Sequence, residues 1–71
     1  MTTYSNPLHK PDRPEFGPAH FETDAQPEEY RGHLIYHRTG LVWDVVKEGV
    51  CIWQAGGPNG AKRAIDKILD I

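Results

Sequence analysis

Five of the six prolines in this chain (Pro7, Pro11, Pro14, Pro18 and Pro27) fall within the first 29 residues. Each removes a backbone donor and biases the residue before it away from helix. The same stretch holds only seven hydrophobic residues, and its two basic and six acidic residues leave a local charge of −4. So few apolar groups do not offset the entropy of ordering the segment. Residues 1–28 therefore read as an extended or disordered acidic arm, with Phe16 and Phe21 available to dock on the folded part or on a partner. Residues 29–71 read as the folded domain. At 71 residues the chain holds at most one small domain.

From Tyr30 onward the character changes: 20 of 42 residues are hydrophobic and the local charge is +2. Three runs have strand composition, namely Tyr30–His37, Leu41–Lys47 and Val50–Gln54, and Gly40 and Gly49 supply the turns between them. Loops this short admit no crossover helix, so the runs predict an antiparallel meander. Gly56-Gly57-Pro58 then stops the sheet, with Asn59 as the expected helix N-cap. Ala61, Ala64, Ile65, Ile68 and Leu69 follow at the spacing of an amphipathic helix, with Lys62 and Asp66 as an i,i+4 pair on its outer side. The predicted fold class is α+β: a three-stranded antiparallel sheet packed on one C-terminal helix, βββα, with an extended N-terminal arm.

Strand alternation assigns two faces. Leu34, Tyr36, Leu41, Trp43, Val45, Val50 and Ile52 are expected under the helix. Arg31, His33, Ile35, His37, Val42, Asp44, Val46, Cys51 and Trp53 are expected on the opposite, open face. That open face is too apolar to be left in water, since each large side chain there forgoes about 1.5–3 kcal/mol. The arm, a second copy of the chain in a homodimer, or a foreign macromolecule is expected to cover it.

Several classes of function fit the sequence poorly. No apolar run approaches the roughly 18 residues of a membrane-spanning helix, and the first ten residues carry no signal-like apolar stretch. The single Cys51 forms no internal disulfide, which points to a reducing cytoplasm. His33 and His37 lie roughly 13 Å apart along one strand, too far to share a metal. Ser5, the only serine, has no triad context. The Gly56–Gly60 turn lacks the spacing of a phosphate loop. No catalytic residue, metal site, cofactor or small-molecule substrate is expected.

The folded half reads Tyr30-Arg31-Gly32, then Trp43, then Ala61-Lys62-Arg63-Ala64-Ile65-Asp66. This cadence resembles small uncharacterised bacteriophage and prophage proteins in which a Tyr-Arg-Gly strand opens a βββα unit. It is also similar to AP2-type DNA-binding domains, whose exposed sheet face enters the major groove with Arg and Trp side chains. That resemblance implies such a role for Arg31 and for Trp53 or Trp43, although the family's further strand arginines are missing and Asp44 and Val46 stand where basic residues would be. The leading expectation is a non-enzymatic protein-binding module, of phage accessory or inhibitor type, acting through the open sheet face. Trp53 and Ile35 would be its anchors, with Val46, Arg31, His33 and His37 around them. The alternative is a DNA- or RNA-binding domain using the same face, with Arg31, His33, His37 and Lys47 on phosphates.

Overall fold

A computed structural model of the chain describes residues 2–70. The fold is α+β. In chain order it comprises β1 (Thr2–Ser5), a 3-10 turn (Pro14–Phe16), β2 (His20–Thr23), β3 (Glu28–Tyr30), β4 (His33–Thr39), β5 (Val42–Lys47), β6 (Val50–Ala55) and α1 (Pro58–Leu69). The strands form one sheet in the order β2-β1-β6-β5-β4-β3. Neighbours run antiparallel except β1 and β6, which are parallel.

The expected meander is present as β4–β6, but the sheet has six strands and is mixed, not three and antiparallel. The difference comes from the Pro-rich stretch, which supplies β1, β2 and the start of β3. Its order rests on backbone and polar pairing together with Tyr4, Leu8 and Phe21, which pack into the core. β1 and β2 pair over four residues each, and the Ser5 amide donates to the Gly49 carbonyl at 2.9 Å. The buried Asn6 side chain donates to the carbonyls of Phe16 and Pro18 at 2.5 and 3.0 Å, which closes the loop between the two strands. Composition counts side chains and does not register such bonds.

Tyr30–His37 is not one strand. It breaks at Arg31-Gly32, where both residues have positive φ (50° and 82°), as a two-residue hairpin turn requires. Glu48-Gly49 repeats the pattern at 54° and 78°. The helix starts two residues earlier than expected: Gly57 is its N-cap and Pro58 fills N1, so Asn59 lies inside the first turn.

Chain geometry requires the sheet to curl. Five inter-strand spacings would set β2 and β3 about 24 Å apart in a flat sheet, yet the five steps from Thr23 to Glu28 span at most about 18 Å. Aromatic contacts confirm the curl. The rings of Tyr4 on β1 and Tyr36 on β4 lie 5.0 Å apart although two strands separate them. The concave side encloses Tyr4, Tyr36, Val46 and Cys51, with Leu8, Phe21 and Leu34 against them. The convex side carries α1 over Ile35 and Val45, with Ala61 and Ile65 facing down and Tyr30, Trp43, Ile52 and Ala55 around them.

This arrangement corrects the expected faces. Ile35 lies under α1, whereas Tyr36 and Leu34 do not. Two register shifts account for it. One lies between His37 and Thr39, so Ile35 pairs with Val45 and Leu34 with Val46. The other lies between Val45 and Val46, so Cys51 opposes Val46 while Trp53 opposes Val45. One extra residue in a period-2 pattern sends every later side chain to the other face. The open face of the expected βββα unit does not exist as such: the β1–β2 hairpin curls over it, and α1 covers the other side.

Candidate functional site

The residues expected to share one recognition face are dispersed. Ile35 is buried under α1 and Val46 is buried on the concave side, so neither anchors an exposed contact. Arg31 sits in the β3–β4 turn, where its guanidinium meets Asp66 at 2.7 Å and Asp70 at 3.5 Å. His33 is buried and its Nδ1 donates to the Arg31 carbonyl at 3.1 Å. His37 stacks on Trp43 at 4.1 Å with the rings 10° from parallel, and its Nε2 donates to the Gly40 carbonyl at 2.8 Å. Lys47 donates to the Gly32 carbonyl at 3.3 Å. The side chains expected to meet phosphates are thus engaged within the fold. Arg31, His37 and Lys47 remain exposed while so engaged, and Trp53 keeps the exposure expected of it, at 51%.

The surroundings of Trp53 follow from the shape of α1. Three residues on one flank of the helix, at i, i+4 and i+8, tie it to β3 and the following turn. Lys62 pairs with Glu28 at 2.5 Å, Asp66 accepts from Tyr30 and Arg31, and Asp70 meets Arg31. Lys62 and Asp66, expected to pair with each other, both reach across to β3 and its turn instead. Arg31 holds the Asp66 carboxyl below the usual carboxylate range, with the Tyr30 hydroxyl adding to the effect.

The opposite flank of α1 carries Gly60, Arg63, Ala64, Lys67 and Ile68. Gly60 lies over β6, where an added Cβ would make an ordinary contact of 3.6 Å with the Ala55 Cβ. Further along, Ala64 is too short to reach the sheet. A groove of about 380 Å³ opens between these residues and the Trp53 indole. Its floor is apolar, Ile68 remains 41% exposed, and Arg63 and Lys67 stand exposed one turn apart. A smaller hollow of about 170 Å³ lies beyond Trp53, lined by Leu8, Phe16 and Gln54. The indole is therefore a wall shared by two concavities. Alternation alone misassigns it, because the shift between Val45 and Val46 turns it to the helix side.

A second constellation was not expected at all. Asp44, fully buried, accepts from the Tyr4 hydroxyl at 2.5 Å and from Gln54 Nε2 at 3.2 Å, and meets Arg38 Nη2 at 2.5 Å. The Arg38 guanidinium is likewise buried, packs against Gly17 and lies over the Phe21 ring at 4.3 Å. Its contact with Asp44 is close but poorly aligned for an N–H bond, so the attraction is chiefly ionic. Burial, reinforced by the bond to Asp44, pushes the Tyr4 hydroxyl well above its ordinary value. Burial and the Asp44 charge push the Cys51 thiol from 9.0 up to about 11. The sequence signal was Asp44 itself, a carboxylate inside the apolar run Val42–Val46, which demands a buried cation. These groups join the arm strands to the meander, and Gln54 also borders the smaller hollow beyond Trp53.

Among the described residues, no three His, Cys, Asp or Glu side chains converge as metal ligands, and no helix is long and apolar enough to cross a membrane. Comparison with family models, with curated proteins and with solved structures finds no match to this chain.

Proposed function

We propose that the chain is a small protein-binding module that captures a segment of a partner in the groove between α1 and β6, with Trp53 as its anchor. It acts by occupying its partner rather than by reaction, in the manner of an accessory or inhibitor protein. The carrying observation is the half-exposed indole beside an apolar groove, in a chain whose other large aromatics are buried or partly buried. Covering the exposed half of a Trp removes about 100 Å² from water, which is worth about 2.5 kcal/mol. Tryptophans in such positions commonly dominate interfaces. The surface differs from the sheet face expected from sequence, but Trp53 is common to both.

The test is selection of a random 12-residue peptide library on the full chain, with parallel selection on Trp53→Ala. Peptides enriched on the wild type and lost on the variant support the reading. Enrichment that survives Trp53→Ala, with native circular dichroism for the variant, refutes it.

A further inference from the structure

We propose that the occupant of the α1–β6 groove is an acidic amphipathic peptide segment. It would place a large apolar side chain against Trp53 and Ile68 and two carboxylates against Arg63 and Lys67. The inference rests on the groove reading above and adds the chemistry of the partner.

Charge carries it. Arg13, Arg31, Arg38 and Lys62 each lie against a carboxylate of the chain itself. Lys47 bonds the Gly32 carbonyl, and the side chains of Lys10, Arg63 and Lys67 have neither an ion pair nor a hydrogen bond among the described residues; of these three, Arg63 and Lys67 stand exposed together along the groove. The carboxylates on the same helix, Asp66 and Asp70, turn to Arg31 on the other flank and leave the two cations without a counter-charge. The helix thus keeps neutralised charge on its pinned flank and unneutralised positive charge along the groove. Lys67 also lies in the last turn, where a cation is favoured by the helix dipole, so part of its placement serves the helix itself. Arg63 stands mid-helix, where the dipole gives a cation no such support.

Spacing narrows the ligand further. Residues four apart on a helix are separated by about 6 Å along its axis. Carboxylates two residues apart on an extended segment, or four apart on a helical one, match that distance. The apolar floor between the cations and Trp53 takes one large side chain, such as Leu or Phe.

The same geometry disfavours other occupants. A two-fold pairing of two chains through this groove uses the same patch on both copies, so it would bring the four cations of two Arg63–Lys67 pairs into one interface with no carboxylate on the groove to offset them. The chain's own acidic residues Glu28 and Glu29 lie on β3, at the pinned flank of α1 and away from the groove. A nucleic acid would find two free cations and a wall of Gly60, Ala64 and Ile68, with no donors for base edges.

The experiment uses the peptide library on the full chain and reads the composition of the sequences that depend on Trp53. The expected result is enrichment of Asp and Glu around an apolar residue. The strongest peptide, resynthesised with Asn and Gln for its Asp and Glu, should bind about tenfold more weakly, as expected for loss of two exposed ion pairs. Arg63→Gln/Lys67→Gln should weaken the acidic peptide by a similar factor and leave the amide peptide unchanged. Both losses should shrink at 0.5 M salt. Trp53-dependent peptides without acidic bias would overturn this inference while leaving the groove reading intact. Peptides indifferent to Trp53, or no enrichment, would overturn both. Two further arms exclude the rivals. A 20-residue oligothymidylate that binds the wild type but not Arg63→Glu/Lys67→Glu would overturn the peptide assignment, as would a dimer in sedimentation that Trp53→Ala dissociates.

Discussion

Arg38→Met tests whether a buried ion pair holds the curled sheet together. Arg38 and Asp44 are almost wholly shielded from water. Removing the cation strands a carboxylate in the concave core with only Tyr4 and Gln54 as donors. Breaking a buried pair from one side costs about 3–5 kcal/mol. A chain of this length has about 3.5–10 kcal/mol in total at typical values per residue. The variant should therefore lose a third or more of its stability, and at the low end it should be unfolded without urea. Arg38→Met/Asp44→Asn offers a neutral pair: the Asn oxygen accepts from Gln54 where Oδ1 did, the Tyr4 hydroxyl turns to accept from the amide nitrogen that replaces Oδ2, and no uncompensated charge remains. It should recover at least half of the loss. Urea unfolding followed by far-ultraviolet circular dichroism, extrapolated to water, supplies each free energy, and the cycle with Asp44→Asn gives the coupling. A single-variant loss below about 1 kcal/mol, or a double variant no more stable than Arg38→Met, would refute the reasoning.

Gly17→Ala should destabilise by about 2 kcal/mol or more. Gly17 has φ +76°, and an added Cβ would collide with the Arg38 guanidinium, so strain and overpacking combine; an unchanged urea midpoint would contradict this packing. Glu48→Asn should stabilise by about 0.5–1 kcal/mol, because Glu48 holds φ +54° in a two-residue turn that favours Asn-Gly; thermal unfolding reads the gain. Stability should fall above pH 9. The buried Cys51 thiol keeps its proton up to about pH 11 while the unfolded thiol releases it from about 9, so its contribution is complete below pH 9 and lost on rising through 11. Between pH 8 and 10 the wild type should lose about 1 kcal/mol more than Cys51→Ala, and parallel urea profiles would rule out the thiol as the cause.

Local chemistry written into short stretches is what emerges from the sequence. The stripe of Ala61, Ala64, Ile65, Ile68 and Leu69 marks a helix because its period belongs to one segment and needs no partner to be recognised. Strand composition and the glycines at 40 and 49 likewise mark the meander of β4 to β6. Exposure of Trp53 was expected for a different reason: alternation put it on the open face, whereas the shift between Val45 and Val46 turns it to the helix side, where the groove leaves it half uncovered.

Tertiary structure decided which faces these elements show and whether the Pro-rich stretch joins them. The register shifts beside Arg38 and Ile52 reverse side-chain direction, and neither can be read from alternation, because the inserted residue breaks the very period that alternation relies on. The arm orders because its backbone amides and the Asn6 side chain find carbonyls only when the hairpin has closed. The groove exists because Ala64 on the helix stands opposite Trp53 on a strand eleven residues earlier. Side-chain period is a local property of the chain, whereas burial, pairing and cleft shape belong to contacts between segments far apart in sequence.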